Sequence, residues 1–161
     1  MNNDGFYAII MVGLPGRGKS YMSHRIKRWL HWKGFECEIF NAGNTRRKIL
    51  NKPADYTWFN SNNDTHNLKE KFAETTLNNM IEWMVSESKN SHKKKVGIFD
   101  ATNSTNKRRD KVISMLLPIL SYDRILFVES VCDDDGIIHK NFIEDKRQNE
   151  DYVDVNTEDA E

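Results

Sequence analysis

Eight consecutive residues, Gly13-Leu14-Pro15-Gly16-Arg17-Gly18-Lys19-Ser20, carry the spacing G-x-x-x-x-G-K-[ST] of a phosphate-binding P-loop. In such a turn successive backbone N–H groups, with a helix N-terminus behind them, form a cradle for an anion. Glycine lets the main chain come close to the phosphates, where a Cβ would obstruct it. Lys19 is placed to reach the β- and γ-phosphates, and the Ser20 hydroxyl to coordinate Mg²⁺. The flanks agree with this chemistry. The apolar run Tyr7–Val12 reads as a buried strand leading in, and a helical pattern starts near Lys19. The segment is expected to bind ATP or GTP.

A second group of residues could act on what the P-loop holds. Asp100 closes the apolar run Val96-Gly97-Ile98-Phe99 and opens Asp100-Ala101-Thr102-Asn103. A carboxylate there lies across the phosphate site from the first strand, able to hold the Mg²⁺ shell or accept a proton from an attacking hydroxyl. The plainer alternative is an aspartate capping a helix N-terminus. Lys107, Arg108, Arg109 and Lys111 crowd the start of the next helix, where cations oppose the macrodipole. A bound anionic substrate would offset that cost; a solvated surface cluster is the alternative. Arg46-Arg47, beyond the weak strand Glu38-Ile39-Phe40, forms another candidate anion site, because a planar guanidinium can grip phosphate through two bonds. Lys146 stands near the end of a helix predicted over Gly136–Lys146, where spacing alone makes it a surface lysine.

The elements that must position these groups alternate between strand and helix. Arg124–Val128 reads as a further buried strand. Met22, Ile26, Trp29 and Leu30 would line one face of the first helix, and Leu68, Phe72, Met80 and Met84 one face of a longer helix from about Asn67 to Ser88. A third helix is expected from Asn106 to about Leu117, with Pro118 near its end. This order predicts an α/β fold, a P-loop NTPase-type parallel sheet with helices on both faces. Ligands of such sheets bind beyond the carboxyl ends of the strands, where the candidate residues fall. Asn51–Asp64 reads as an irregular loop, and Ser91–Lys95, with three consecutive lysines, as a solvated one. From Glu144 to Glu161 eight acidic side chains face two basic ones, and the segment after Asp151 shows no apolar periodicity, so a mobile tail is expected.

Bulk properties narrow the function. A length of 161 residues suits one domain with its own core. With 24 Lys+Arg against 24 Asp+Glu, net charge gives no reason to expect nucleic acid as a partner. No apolar run is long enough for a membrane span and no basic N-terminal leader is seen. Cys37 and Cys132 stand far apart with no metal-ligand spacing, which together with these features suggests a reduced, cytoplasmic setting.

Five segments together resemble the kinase domain of the 6-phosphofructo-2-kinase/fructose-2,6-bisphosphatase family. They are Met11–Tyr21, Phe40–Arg47, Phe99–Thr105, Glu129–Asp134 and the spaced Asn141, Glu144, Lys146, Asp151 and Tyr152. The first and third are shared with other small-molecule and polynucleotide kinases; the Arg46-Arg47 segment and Glu129-Ser130-Val131-Cys132-Asp133-Asp134 are the more specific. The resemblance implies transfer of the γ-phosphoryl group of MgATP to the 2-hydroxyl of fructose 6-phosphate. It places Lys19 and Ser20 on ATP and Mg²⁺, Asp100 on the catalytic aspartate, and Arg46, Lys69, Thr102 and Arg108 on the sugar phosphate. Cys132 matches an active-site cysteine, with a positioning role expected because direct transfer needs no nucleophile. Asn141 to Lys146 matches a second ATP-contacting segment, in which Lys146 also meets the substrate and so gains a role that its spacing did not suggest.

Lys69 replaces a family arginine, Gly16 an alanine, and Asn44-Thr45 an acidic-aromatic pair. Residues 1–152 are thus expected to be a kinase domain, short of the family's C-terminal part, and 153–161 an acidic tail. No Arg-His-Gly phosphatase motif occurs in the sequence, so kinase activity alone is expected. A second copy of the chain or a partner subunit would be one way to complete the sugar site. Two other readings share the same core: a P-loop kinase for another hydroxyl, such as a polynucleotide 5′-end or a different sugar phosphate, and an ATP-binding relative without turnover.

Overall fold

A strand buried on both faces needs apolar side chains at successive positions, and β1 (Phe6–Val12) supplies them. In the computed structural model, which describes residues 5–50, 63–87 and 94–148, β1 lies at the centre of a four-stranded parallel sheet. The other strands are β2 (Glu36–Asn41), β3 (Lys95–Asp100) and β4 (Ile125–Glu129), in the spatial order β2-β3-β1-β4. β1 pairs with β3 from Phe6↔Lys95 to Ile10↔Phe99 and with β4 from Ala8↔Ile125 to Val12↔Glu129. β2 pairs with β3 up to Asn41↔Asp100, so the carboxyl ends of all four strands open on one edge. The helices are α1 (Lys19–Trp32), α2 (Ala42–Leu50), α3 (Asn63–Val85), α4 (Asn106–Leu116) and α5 (Asp135–Gln148), and a short 3₁₀ turn, Tyr122–Arg124, leads into β4.

Strand alternation divides the core in two. Ala8, Ile10 and Phe99 pack with Ala73, Leu77, Met80 and Met84 of α3 and with Val112 and Leu116 of α4. Ile9, Met11, Val96 and Ile98 face the other way, with Cys37 and with Leu30 of α1. Gly97 permits the close seating of α3: a Cβ there would stand 2.7 Å from Met80 Cγ and 2.8 Å from its sulfur. The α/β parallel sheet with helices on both faces is therefore present as expected. No helix among the described residues is long and apolar enough to cross a membrane.

Five expectations need correction. The strand read as buried over Arg124–Val128 is β4, an edge strand in which only Ile125 is buried and Leu126 is exposed. The inward stripe of α1 is Ser23 and Leu30, both buried, with Ile26 half-buried between them, whereas Met22 and Trp29 are exposed. Ser23 is accommodated because its hydroxyl donates back to the Lys19 carbonyl at 3.0 Å. On the outward side Lys33 Nζ lies 5.7 Å from the Trp29 ring centroid and 4.9 Å from that of Trp32, cation–π contacts that let aromatic side chains face solvent. Leu68 is likewise exposed on α3, whose buried positions include Phe72, Met80 and Met84. Lys95, read as part of a solvated loop, is only 1 % exposed and opens β3. Its ammonium donates to the Trp83 carbonyl (2.9 Å), the Ser86 carbonyl (2.7 Å) and Ser86 Oγ (3.1 Å), closing the C-terminal end of α3 with all three of its donors. Asn63 and Asp64 belong to α3 rather than to the preceding loop. The rest of that loop, residues 51–62, with 88–93 and the acidic segment 149–161, lies outside the described residues.

Candidate active site

The P-loop bridges β1 and α1, and its backbone explains its glycines. Gly13, Gly16 and Gly18 have φ of 138°, 72° and 80°, in the region that side chains with a Cβ rarely enter. At Gly13 space forbids a side chain as well, because a Cβ would lie 2.6 Å from the Ser130 carbonyl oxygen. The loop's own carbonyls are held by donors of this chain. Lys19 Nζ donates to Leu14 O at 2.7 Å, Asn141 Nδ2 to Gly16 O at 2.7 Å, and the Ser130 hydroxyl to Arg17 O. Arg17 also meets the Asp133 carboxylate at 3.2 Å. The segment after β4 and the first half of α5 thus brace the loop through its carbonyls, and the Gly13 N–H is taken by the Thr102 carbonyl.

Across the strand ends, Asp100 is the last residue of β3 and is 3 % exposed. It is not a helix cap; Thr105 caps α4, its hydroxyl accepting from the Arg108 N–H at 3.3 Å. Asp100 Oδ2 accepts from Asn41 Nδ2 at 2.8 Å, and Asn41 Oδ1 accepts from the Asn44 N–H at 2.9 Å at the start of α2. One amide therefore joins the carboxylate to the helix that bears Arg46, whose side chain is buried. Sequence reasoning gave Asn41 no role; the available signal was a polar residue closing β2 in the position that Asp100 holds in β3.

The cations of α4 are balanced by carboxylates on α3, which spacing could not reveal. Arg108 NH2 lies 2.9 Å from Glu70 Oε1, and Lys111 pairs with Glu74. Arg109 donates to the Asn103 carbonyl at 2.9 Å and to Asn106 Oδ1. This answers the electrostatic cost of four cations near one helix N-terminus without requiring an anion at each; Arg108 and Arg109 are half-buried, Lys107 and Lys111 exposed. Thr102 is exposed, and its carbonyl accepts from the Gly13 N–H at 3.0 Å, tying the Asp100 side to the P-loop. Lys69 is half-buried on α3, next to Glu70.

Of the remaining predicted residues, Leu14, Pro15 and Ser20 are exposed at the loop and the start of α1, and Cys132 is half-buried with Sγ 4.0 Å from the Asp134 carbonyl oxygen. Lys146 falls within α5 as expected; its side chain lies outside the described residues. Burial pushes the other thiol, Cys37, up to about 12, and the neighbouring Lys27 offsets this only in part. No three His, Cys, Asp or Glu side chains cluster as a metal cage among the described residues. The donors present are a hydroxyl, Ser20, and a carboxylate, Asp100, a hard-oxygen pair of the kind that holds Mg²⁺ when phosphate oxygens and water complete its shell.

A parallel sheet with a P-loop after its central strand and a carboxylate ending the adjacent one defines an α/β fold of the P-loop class. A solved structure of APE1195 shares that fold, with a TM-score of 0.55 over 89 % of this chain and 75 % of its own, at 13 % identity. The family model described as 6-phosphofructo-2-kinase matches residues 1–161, and the chain belongs to that family. It is 42 % identical over 153 residues to a Schizosaccharomyces pombe protein named "Probable 6-phosphofructo-2-kinase", covering 94 % of this chain and 22 % of that protein. It is 37 % identical over 138 residues to Saccharomyces cerevisiae 6-phosphofructo-2-kinase 1, covering 83 % and 16 %. With bovine 6-phosphofructo-2-kinase/fructose-2,6-bisphosphatase 3 the identity is 33 % over 150 residues, covering 92 % and 31 %. The chain thus spans less than a third of the length of these relatives.

Proposed function

We propose that this chain transfers the γ-phosphoryl group of MgATP to the 2-hydroxyl of fructose 6-phosphate, giving fructose 2,6-bisphosphate and ADP. Family membership supplies the acceptor. The observation that carries the reading is the Asn41 amide, which joins the Asp100 carboxylate at 2.8 Å to α2 and so to Arg46, putting an acid–base group between a phosphate cradle and a buried arginine.

In this reading the loop's backbone N–H groups from Gly16 onward hold the phosphates, and Lys19 exchanges its bond to the Leu14 carbonyl for the β- and γ-phosphate oxygens. Ser20 and Asp100 would hold Mg²⁺, which when bound offsets charge on the phosphates. Arg46, Lys69, Thr102 and Arg108 receive the 6-phosphate; Lys69 does so as a point charge without the fork of an arginine. Asp100 takes the proton of the 2-hydroxyl as its oxygen attacks the γ-phosphorus and the bond to the β-phosphate oxygen breaks. Asn141 holds the loop through Gly16, Lys146 supplies a cation to the transferring group, and Cys132 positions the loop beside it. Residues 1–152 form the kinase domain in this assignment.

The test offers γ-labelled MgATP with fructose 6-phosphate in one reaction and with a 5′-hydroxyl oligonucleotide in another. An acid-labile labelled sugar bisphosphate is expected. Label on the oligonucleotide instead would overturn the assignment.

A further inference from the structure

Two local costs coincide at Asn103, a residue that the reaction above does not use. Its φ is 46°, the only positive value among the described residues other than glycine. Asparagine tolerates this region better than most residues, but glycine enters it without penalty. The side chain is 3 % exposed, and Oδ1 is buried without a hydrogen-bond partner. Such costs in a packed structure point to a constraint at that position.

The side-chain amide provides the gain. The β1–β3 ladder ends at Ile10↔Phe99, where the P-loop and the Asp100 segment begin to separate. Beyond that rung, Asn103 Nδ2 donates to the Met11 carbonyl at 2.8 Å, and the Gly13 N–H donates to the carbonyl of the preceding residue, Thr102, at 3.0 Å. The Met11 carbonyl can only accept, which fixes the orientation of the amide and leaves Oδ1 as the unpartnered atom. On its other side the Asn103 carbonyl accepts from Arg109 of α4 at 2.9 Å. One residue thus connects β1, at the foot of the phosphate cradle, to the helix that carries Arg108.

We infer that Asn103 is a positioning residue, a strut that sets the separation between the phosphate cradle and the Asp100–Arg108 side. The inference rests on the phosphoryl-transfer reading for its consequence. Transfer without a covalent enzyme intermediate depends on alignment of donor and acceptor, and a misplacement of about 1 Å can cost on the order of 100-fold in rate. Loss of the strut should therefore act on kcat, since neither the phosphate-binding groups nor the sugar-phosphate cations are removed.

Two variants separate the strut from backbone strain. Asn103→Gly keeps the backbone conformation and deletes the amide; Asn103→Asp keeps the shape and removes the donor. Both are assayed for transfer from MgATP to fructose 6-phosphate, with kcat expressed per folded molecule, and for hydrogen exchange at the Gly13 amide without substrates. In both, kcat should fall about 10- to 100-fold with each KM within about 3-fold of the parent. Gly13 should exchange at least about 10-fold faster in Asn103→Gly, because its bond to Thr102 is no longer held in register. Asn103→Gly with parental kcat and parental exchange at Gly13 would overturn the inference, whatever the outcome for Asn103→Asp. If the parent chain transfers nothing to fructose 6-phosphate, the functional reading fails, and exchange at Gly13 alone decides the strut: faster supports it, unchanged overturns it.

Discussion

In the proposed reading, the nucleotide side and the acceptor side of the site are held by different kinds of bond. Around the P-loop the constraint is main-chain geometry: three left-handed glycines, a carbonyl 2.6 Å from where a Cβ would be, and loop carbonyls anchored by Lys19, Ser130 and Asn141. Around Arg108 the constraint is long charged side chains paired across two helices, Arg108 with Glu70 and Lys111 with Glu74. A backbone cradle fits one invariant group, a polyphosphate. Paired side chains can be retuned by single substitutions.

Gly13→Ala attacks the cradle and carries the largest expected effect. The added methyl must displace the Ser130 carbonyl or distort a φ of 138°, so MgATP affinity should fall by at least about 100-fold in a binding titration, with transfer lost. Parental affinity would show that the cradle is adaptable. Arg108→Ala should raise KM for fructose 6-phosphate by on the order of 10- to 100-fold, the loss of a charge-assisted contact, and leave MgATP affinity unchanged. Glu70→Gln sharpens the comparison. It leaves Arg108 in place and removes only its 2.9 Å ion pair, so KM should change less than about 5-fold and stability by less than about 1 kcal/mol, because the pair is partly exposed.

Lys95→Met tests the frame rather than the site. It strips the donors from the Trp83 and Ser86 carbonyls and should cost about 2 kcal/mol, a fall of ~4–8 °C in Tm, with both KM values unchanged. The smallest effect concerns Cys37. Its thiol is neutral in folded and unfolded chains below the ordinary value of 9.0; between there and about 12 only the unfolded chain ionises. Stability should therefore fall as pH rises above 9, and Cys37→Ala should show a shallower decline than the parent in denaturant titrations at pH 8 and 10. Parallel declines would mean that the folded thiol titrates normally.

The same contrast explains what could be read from the sequence. The P-loop is legible because its backbone demands glycine at fixed spacing, and β1 and β3 because strands buried on both faces must be apolar throughout. Asp100 was legible as the polar end of such a strand. Asn41, Glu70 and Ser130 were not, since each acts on a partner distant in sequence whose approach only the fold determines. Lys95 illustrates the limit from the other side: in a run of lysines nothing local marks the one whose ammonium will close a helix. Trp29 and Met22 fit an apolar stripe by spacing, yet α1 turns Ser23 inward because a hydroxyl can satisfy itself on its own helix.

In the proposed reading a separately built donor cradle and acceptor side meet at Asp100. The most direct test is Asp100→Ala, with MgATP and fructose 6-phosphate binding measured alongside transfer. The account predicts that transfer falls by roughly 10³-fold or more while each ligand binds within about 10-fold of the parent. Transfer surviving near the parental rate would contradict it, placing the chemistry away from the carboxylate on which both halves of the site converge.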